Sequence, residues 1–249
     1  MQKNKSQLQQ WFAKFPGSAI LEAESKTLSR LLSKVFGYHL LQLGWITQHD
    51  WLKHSRISHH IYLTPIAATD FPGTYVQGSF TDLPFLPDSI DAVLLPHILE
   101  FVDNPQQVLQ EVDQVLMPEG RVIILGFHPW SLFGLTRLFK NHKQLPWRGK
   151  FHSSYRVRAW LREQGYMIEE EKTLFFRPLL QNGKTLQKLL FLEAVGQLIW
   201  PYLGSVYFIV AKKRVARVIP MRSSLLAKRV RVPHGVTQPT ARANNQAHE

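Results

Sequence analysis

Residues 74–127 read TYVQGSFTDLPFLPDSIDAVLLPHILEFVDNPQQVLQEVDQVLMPEGRVIILGF, and this stretch decides the fold. At its centre, from Pro105 to Leu116, residues Val108, Leu109, Val112, Val115 and Leu116 recur at helical spacing and form one apolar face. Pro105 suits the first turn of that helix, where the amide hydrogen that proline lacks would have no partner anyway. Two short apolar runs flank it, Ile90–Leu95 and Arg121–Leu125, each with the continuous character of a parallel strand covered on both faces. Proline-rich punctuation precedes the first run, and Pro118-Glu119-Gly120 separates the helix from the second. Alternation of this kind predicts an open α/β sheet with helices on both faces.

Strands are also predicted upstream at His39–Leu43, Ser58–Leu63 and Thr74–Gln77. Residues 6–36 read as helix, split at Phe15-Pro16-Gly17 and stopped at Gly37. Downstream, Ser153–Gln164 reads as a helix ended by Gly165, followed by a strand at Tyr166–Glu169. An amphipathic helix at about 184–200 and a last strand at Val206–Ala211 complete the pattern. Glu169-Glu170-Glu171 reads as an exposed strand end, and no internal repeat is present.

The chain has 249 residues, 45% hydrophobic and 19% charged, which marks a globular protein. It contains no cysteine, which excludes disulfides, iron–sulfur clusters and a thiolate nucleophile. The net charge of +12 is concentrated in the tail, where residues 212–249 hold nine Lys/Arg and a single acid, Glu249. The N-terminus is polar, with no apolar signal core. Leu189–Val210 is interrupted by Glu193, Gln197 and Pro201, too broken to span a bilayer core of roughly 30 Å. A soluble, cytoplasmic protein is expected. His49, His54, His59 and His60 carry no metal prediction, because adjacent strand residues such as His59 and His60 point to opposite faces.

Four segments, in order, carry a family resemblance: Gly78-Ser79-Phe80-Thr81-Asp82-Leu83-Pro84-Phe85, Ser89-Ile90-Asp91-Ala92-Val93, Ile98-Leu99-Glu100-Phe101-Val102-Asp103-Asn104-Pro105 and Leu116-Met117-Pro118-Glu119-Gly120. Together they resemble the class I S-adenosylmethionine-dependent methyltransferases, in particular the type 11 branch. His152–Glu171 and Val206–Lys213 look like that family's late helix and strands. The resemblance implies a Rossmann-like, seven-stranded sheet with one antiparallel strand and helices on both faces. It sets residues 1–36 apart as an N-terminal helical extension and 37–213 as the methyltransferase-like domain. Aromatic lid insertions are expected at about 127–150 and 172–204, and 214–249 is a basic tail with the composition of a disordered segment.

The resemblance also implies S-adenosylmethionine as cofactor, held by Leu43, Gly44 and Trp45 after the first strand, Thr64 after the second, Ser79 and Phe80 after the third, and Leu95 and Pro96 at the end of the fourth. The chain departs from the family here. Of the glycine-rich turn only Gly44 is present, in Leu43-Gly44-Trp45-Ile46; no acid follows the second strand; and Ser79 stands where the family has an aspartate. Replacing Gly44 with a bulky residue is expected to abolish cofactor binding and spare the fold. His97 and His128, just past the fourth and fifth strands, are candidate bases or substrate contacts, and each also reads as a loop histidine capping a strand end. Trp130, Phe133 and Trp147, with Leu190 and Trp200, suggest an apolar lid over a lipid-like or quinone-like acceptor. They read equally as core filling or a dimer contact.

The function expected is methyl transfer to a small or lipid-like acceptor. A non-catalytic, methyltransferase-like binding or scaffold protein is the alternative that the thinned glycine loop suggests. An RNA methyltransferase steered by the basic tail is a further one, although the tail lacks the aromatic interleaving that base stacking uses.

Overall fold

Apolar runs that need cover on both faces and one-sided helices have a single economical arrangement, a sheet sandwiched between helices. The computed structural model has this arrangement and describes residues 2–46, 51–66, 73–131, 134, 149–176 and 204–214. Its elements in chain order are α1 (Gln2–Ala13), α2 (Gly17–Leu32), β1 (His39–Leu43), β2 (His59–Thr64), β3 (Thr74–Gln77), β4 (Ile90–Pro96), α3 (Pro105–Val115) and β5 (Leu116–Phe127). A helix at Ser154–Glu163 (α4), β6 (Tyr166–Leu174) and β7 (Val206–Lys213) follow.

The seven strands lie in the order β3-β2-β1-β4-β5-β7-β6. Strands β1 to β5 run parallel, and β7 is antiparallel to both of its neighbours. Strand order reverses between β1 and β4, so a crevice is expected beyond their carboxyl ends. The predicted α/β class and the single antiparallel strand are both present.

Local signals account for the helix ends. The Asn104 side chain accepts a hydrogen bond from the Gln107 amide at 3.2 Å and caps α3, with Pro105 in its first turn. Ser153 caps α4 in the same way, accepting from the Arg156 amide at 3.3 Å. Strand lengths depart further from the sequence reading. β5 begins directly at Leu116, because Leu116 pairs with Ile90, and β6 continues to Leu174, because it pairs with β7 as far as Val206. Glu169, Glu170 and Glu171 therefore lie inside a strand rather than at its end. They pair with Arg121, Lys172 and Arg158, respectively.

The extension, residues 1–36, shares the main core. Leu8 and Phe12 of α1 and Ile20, Leu28 and Leu32 of α2 are buried in the same cluster as the strands. The expected lid residues Phe133, Trp147, Leu190 and Trp200, the helix at 184–200 and the tail from 215 onward lie outside the described residues. No described helix is long and apolar enough to cross a membrane.

Candidate active site

The carboxyl edge of the sheet carries two different polar regions. Over β2 and β3 lies a cleft of about 790 Å³, lined by Pro65, Gln77, Gly78, Ser79, Phe80 and Thr81 on one side and by Phe101, Val102, Asp103, Asn104 and Gln107 on the other. Two aromatic rings and a valine supply apolar surface, hydroxyl and amide groups supply donors and acceptors, and Asp103 is the one acid. Such a mixture suits a nucleoside, whose base needs apolar cover and whose ribose needs hydrogen bonds.

Of the eight residues expected to hold a cofactor, only Ser79 and Phe80 line this cleft. Leu43, Gly44, Trp45, Thr64, Leu95 and Pro96 are buried and do not line it. The turn after β1 is occupied by the protein itself. The Trp45 indole packs edge-on against Phe80 at 5.7 Å and tilted against Phe101 at 6.0 Å. Amide side chains tie down the same turn: Gln9 Nε2 donates to the Trp45 carbonyl at 3.0 Å and Gln42 Nε2 to that of Ile46 at 2.6 Å.

Gly44 adopts φ +139°, where a side chain is strained, and a Cβ there would stand 3.0 Å from Ile98 Cδ1. The backbone conformation thus favours glycine here, with Ile98 close on its open side. A bulky replacement there would strain the backbone and press on the flexible end of Ile98, a cost that the expectation of an unaffected fold did not include. Thr64 is wholly buried, and its hydroxyl is without a partner among the described residues.

The second region lies over β4, β5 and β7. His97 follows β4 in a left-handed conformation, φ 53°, and is completely buried. Its Nε2 is 2.8 Å from Glu24 Oε1 of α2, its Nδ1 is 3.6 Å from Glu100 Oε1, and its ring stacks on Phe127 at 4.1 Å. Burial alone would lower the imidazole pKa. The charges and hydrogen bonds of Glu24 and Glu100 outweigh that penalty and hold it at about 9. At neutral pH His97 is a protonated cation enclosed by two carboxylates.

His128 is nearly buried after β5. Its Nδ1 accepts the Trp130 amide at 3.3 Å, its ring stands edge-on to Tyr207, and burial lowers its pKa, with Glu171 opposing. The structure therefore brings His97 and His128 to the same edge of the sheet, as the sequence suggested, in opposite electrostatic settings.

Sequence reasoning missed Glu24, Glu100, His152 and the cleft wall at Phe101–Asn104. Asn104-Pro105 was a legible helix start, and the wall is the turn that delivers the chain to it. Glu24 had no local signal, since its partner is 73 residues away. The Glu100 carboxylate accepts the Phe127 amide at 2.6 Å, which ties the wall to the end of β5.

Residues 62–124, which include the cleft wall, match the methyltransferase domain family of type 11. Over 225 residues the chain is 28% identical to the uncharacterized protein YafS of Escherichia coli K12, covering 89% of this chain and 88% of that protein. Over 91 residues it is 33% identical to the demethylmenaquinone methyltransferase of Lysinibacillus sphaericus, a match that spans 35% of this chain and 39% of that enzyme. Among solved structures, a chain from the complex that contains the Haloferax volcanii Trm112 methyltransferase activator superposes with a TM-score of 0.60 at 16% identity, covering 84% of this chain and 98% of that one. An S-adenosylmethionine-dependent methyltransferase from Mesorhizobium loti gives a TM-score of 0.53 at 17% identity, covering 77% and 98%. The fold is that of the class I methyltransferases. Within that fold, residues 62–124 are similar to the type 11 methyltransferase domain.

Proposed function

We propose that this protein transfers the methyl group of S-adenosylmethionine to a small or lipid-like acceptor. The observation that carries this reading is the cleft over β2 and β3, beside the switch in strand order, with its nucleoside-like balance of aromatic, hydroxyl and amide groups. Phe80 and Phe101 would cover the base, Ser79, Thr81 and Asn104 would meet ribose hydroxyls, and Asp103 would favour a ligand carrying a positive charge. The bound cofactor would supply a methyl group already activated on sulfonium, so the chain's task is to orient the acceptor and exclude water. The likeness to demethylmenaquinone methyltransferases supports a lipid-like, quinol-type acceptor.

One observation favours a second reading, a methyltransferase-like binding protein without turnover. Trp45 fills the turn after β1, and Ile98 covers the open side of Gly44. Calorimetric titration of the folded protein with S-adenosylmethionine and S-adenosylhomocysteine separates the two. One-to-one binding is expected, and no heat at millimolar ligand would leave the binding-protein reading in its place.

A further inference from the structure

Two segments close the carboxyl edge beside β5. One leaves the strand as His128-Pro129-Trp130, and the other, 149–153, leads into α4. The Phe127 and Phe151 rings pack at 5.4 Å, and the His152 ring stands edge-on to Trp160 of α4 at 5.1 Å, so the end of β5 and the start of α4 are neighbours. Each segment presents an aromatic side chain to solvent: Trp130 is 69% exposed and Tyr155 72%. Large rings usually enter a core or an interface, and here two stay outside the core.

Exposed cations accompany them. Lys150 and Arg156 are both exposed, and neither side chain has an acid partner among the described residues. The acids of this region are engaged or set apart. Glu24 and Glu100 enclose His97, Glu171 pairs with Arg158 at 2.7 Å, and Asp103 lies in the cleft. The sequence extends the same bias, with nine Lys/Arg and no acid between Glu119 and Glu163.

Amphipathic rings beside cations suit the headgroup level of an anionic bilayer, where rings enter the acyl boundary and cations meet phosphates. Single-stranded nucleic acid also takes cations and rings. The same stretch of sequence holds Leu132, Leu135, Leu138 and Leu145, aliphatic side chains that suit acyl chains and that base stacking does not use. Charge and apolar character together therefore favour lipid.

We propose that Trp130, Lys150, Tyr155 and Arg156 dock the carboxyl edge onto an anionic lipid surface, the two rings entering the headgroup region and the two cations pairing with lipid phosphates. The inference goes beyond methyl transfer and holds whether or not the cleft takes S-adenosylmethionine.

The test is flotation of the full-length protein with phosphatidylcholine vesicles, with and without phosphatidylglycerol, at low and high salt. Lys150→Gln/Arg156→Gln and Trp130→Ser/Tyr155→Ser are compared with wild type. All four side chains are exposed, so both variants should melt at the wild-type temperature. Wild type is expected on the phosphatidylglycerol vesicles at low salt, much less at high salt, and not on phosphatidylcholine alone. Removing the two cations should lower the partition roughly 30-fold, and removing the two rings roughly tenfold. Brominated acyl chains should quench the tryptophan fluorescence of wild type more than that of Trp130→Phe. Absence of vesicle binding, or equal binding by wild type and both variants, would overturn the proposal, the second by placing the contact in the basic tail. Substitutions that weaken binding to transfer RNA but leave vesicle binding unchanged would overturn it in favour of nucleic acid.

Discussion

The two halves of the sheet's carboxyl edge solve the problem of polar groups in opposite ways. Over β2 and β3 the polar side chains of the cleft, Gln77, Ser79, Asp103 and Asn104, are exposed and grow from the strand ends and the turn into α3. Over β4, β5 and β7 the ionisable groups are buried, and two of them arrive from elsewhere: Glu24 from α2 and His152 from the segment before α4. A solvated cleft tolerates substitution because water replaces lost partners. A buried charge does not, because removing one partner leaves the other uncompensated in a medium of low dielectric.

That contrast is broken most severely by Glu24→Ala, which leaves His97 with one carboxylate; a loss of about 3–5 kcal/mol is expected in chemical denaturation. The same pair should also show in pH dependence. His97 titrates near 6.5 when unfolded and at about 9 when folded, so its stabilisation is complete below pH 6.5 and is lost as pH rises through about 9. The full effect is on the order of 3 kcal/mol, and His97→Gln should flatten that slope in thermal melts.

Gly44→Ala sharpens the comparison from the cleft side. It places a Cβ at φ +139° against Ile98, and about 1–3 kcal/mol of destabilisation should follow. A melting temperature equal to wild type would show that the turn can relax. Asn104→Ala removes the cap of α3 within the cleft wall and should cost about 1 kcal/mol by denaturation.

Much of the fold was legible because its signals are local. The apolar face of α3, the caps at Asn104 and Ser153 and the parallel strand cores each lie within a dozen residues, where periodicity and turn chemistry can be read. The family resemblance was legible for the same reason, in the ordered segments between Gly78 and Gly120, which lie within the stretch that matches the methyltransferase domain. Ser79 and Phe80 could be placed on the cleft because they follow a strand end directly. Leu43, Gly44, Trp45, Thr64, Leu95 and Pro96 also sit at strand ends. Whether such residues face a ligand or the protein depends on what packs over them.

The sequence by itself determined the α/β alternation, the helix ends and the concentration of charge in the tail, since each arises from neighbours along the chain. Only the tertiary structure decided that Trp45 fills the turn after β1, that Glu169 and Glu171 pair within a strand, and that Glu24 holds His97 as a cation. These depend on groups far apart in sequence whose energies exist only after packing has excluded water and lowered the dielectric around them.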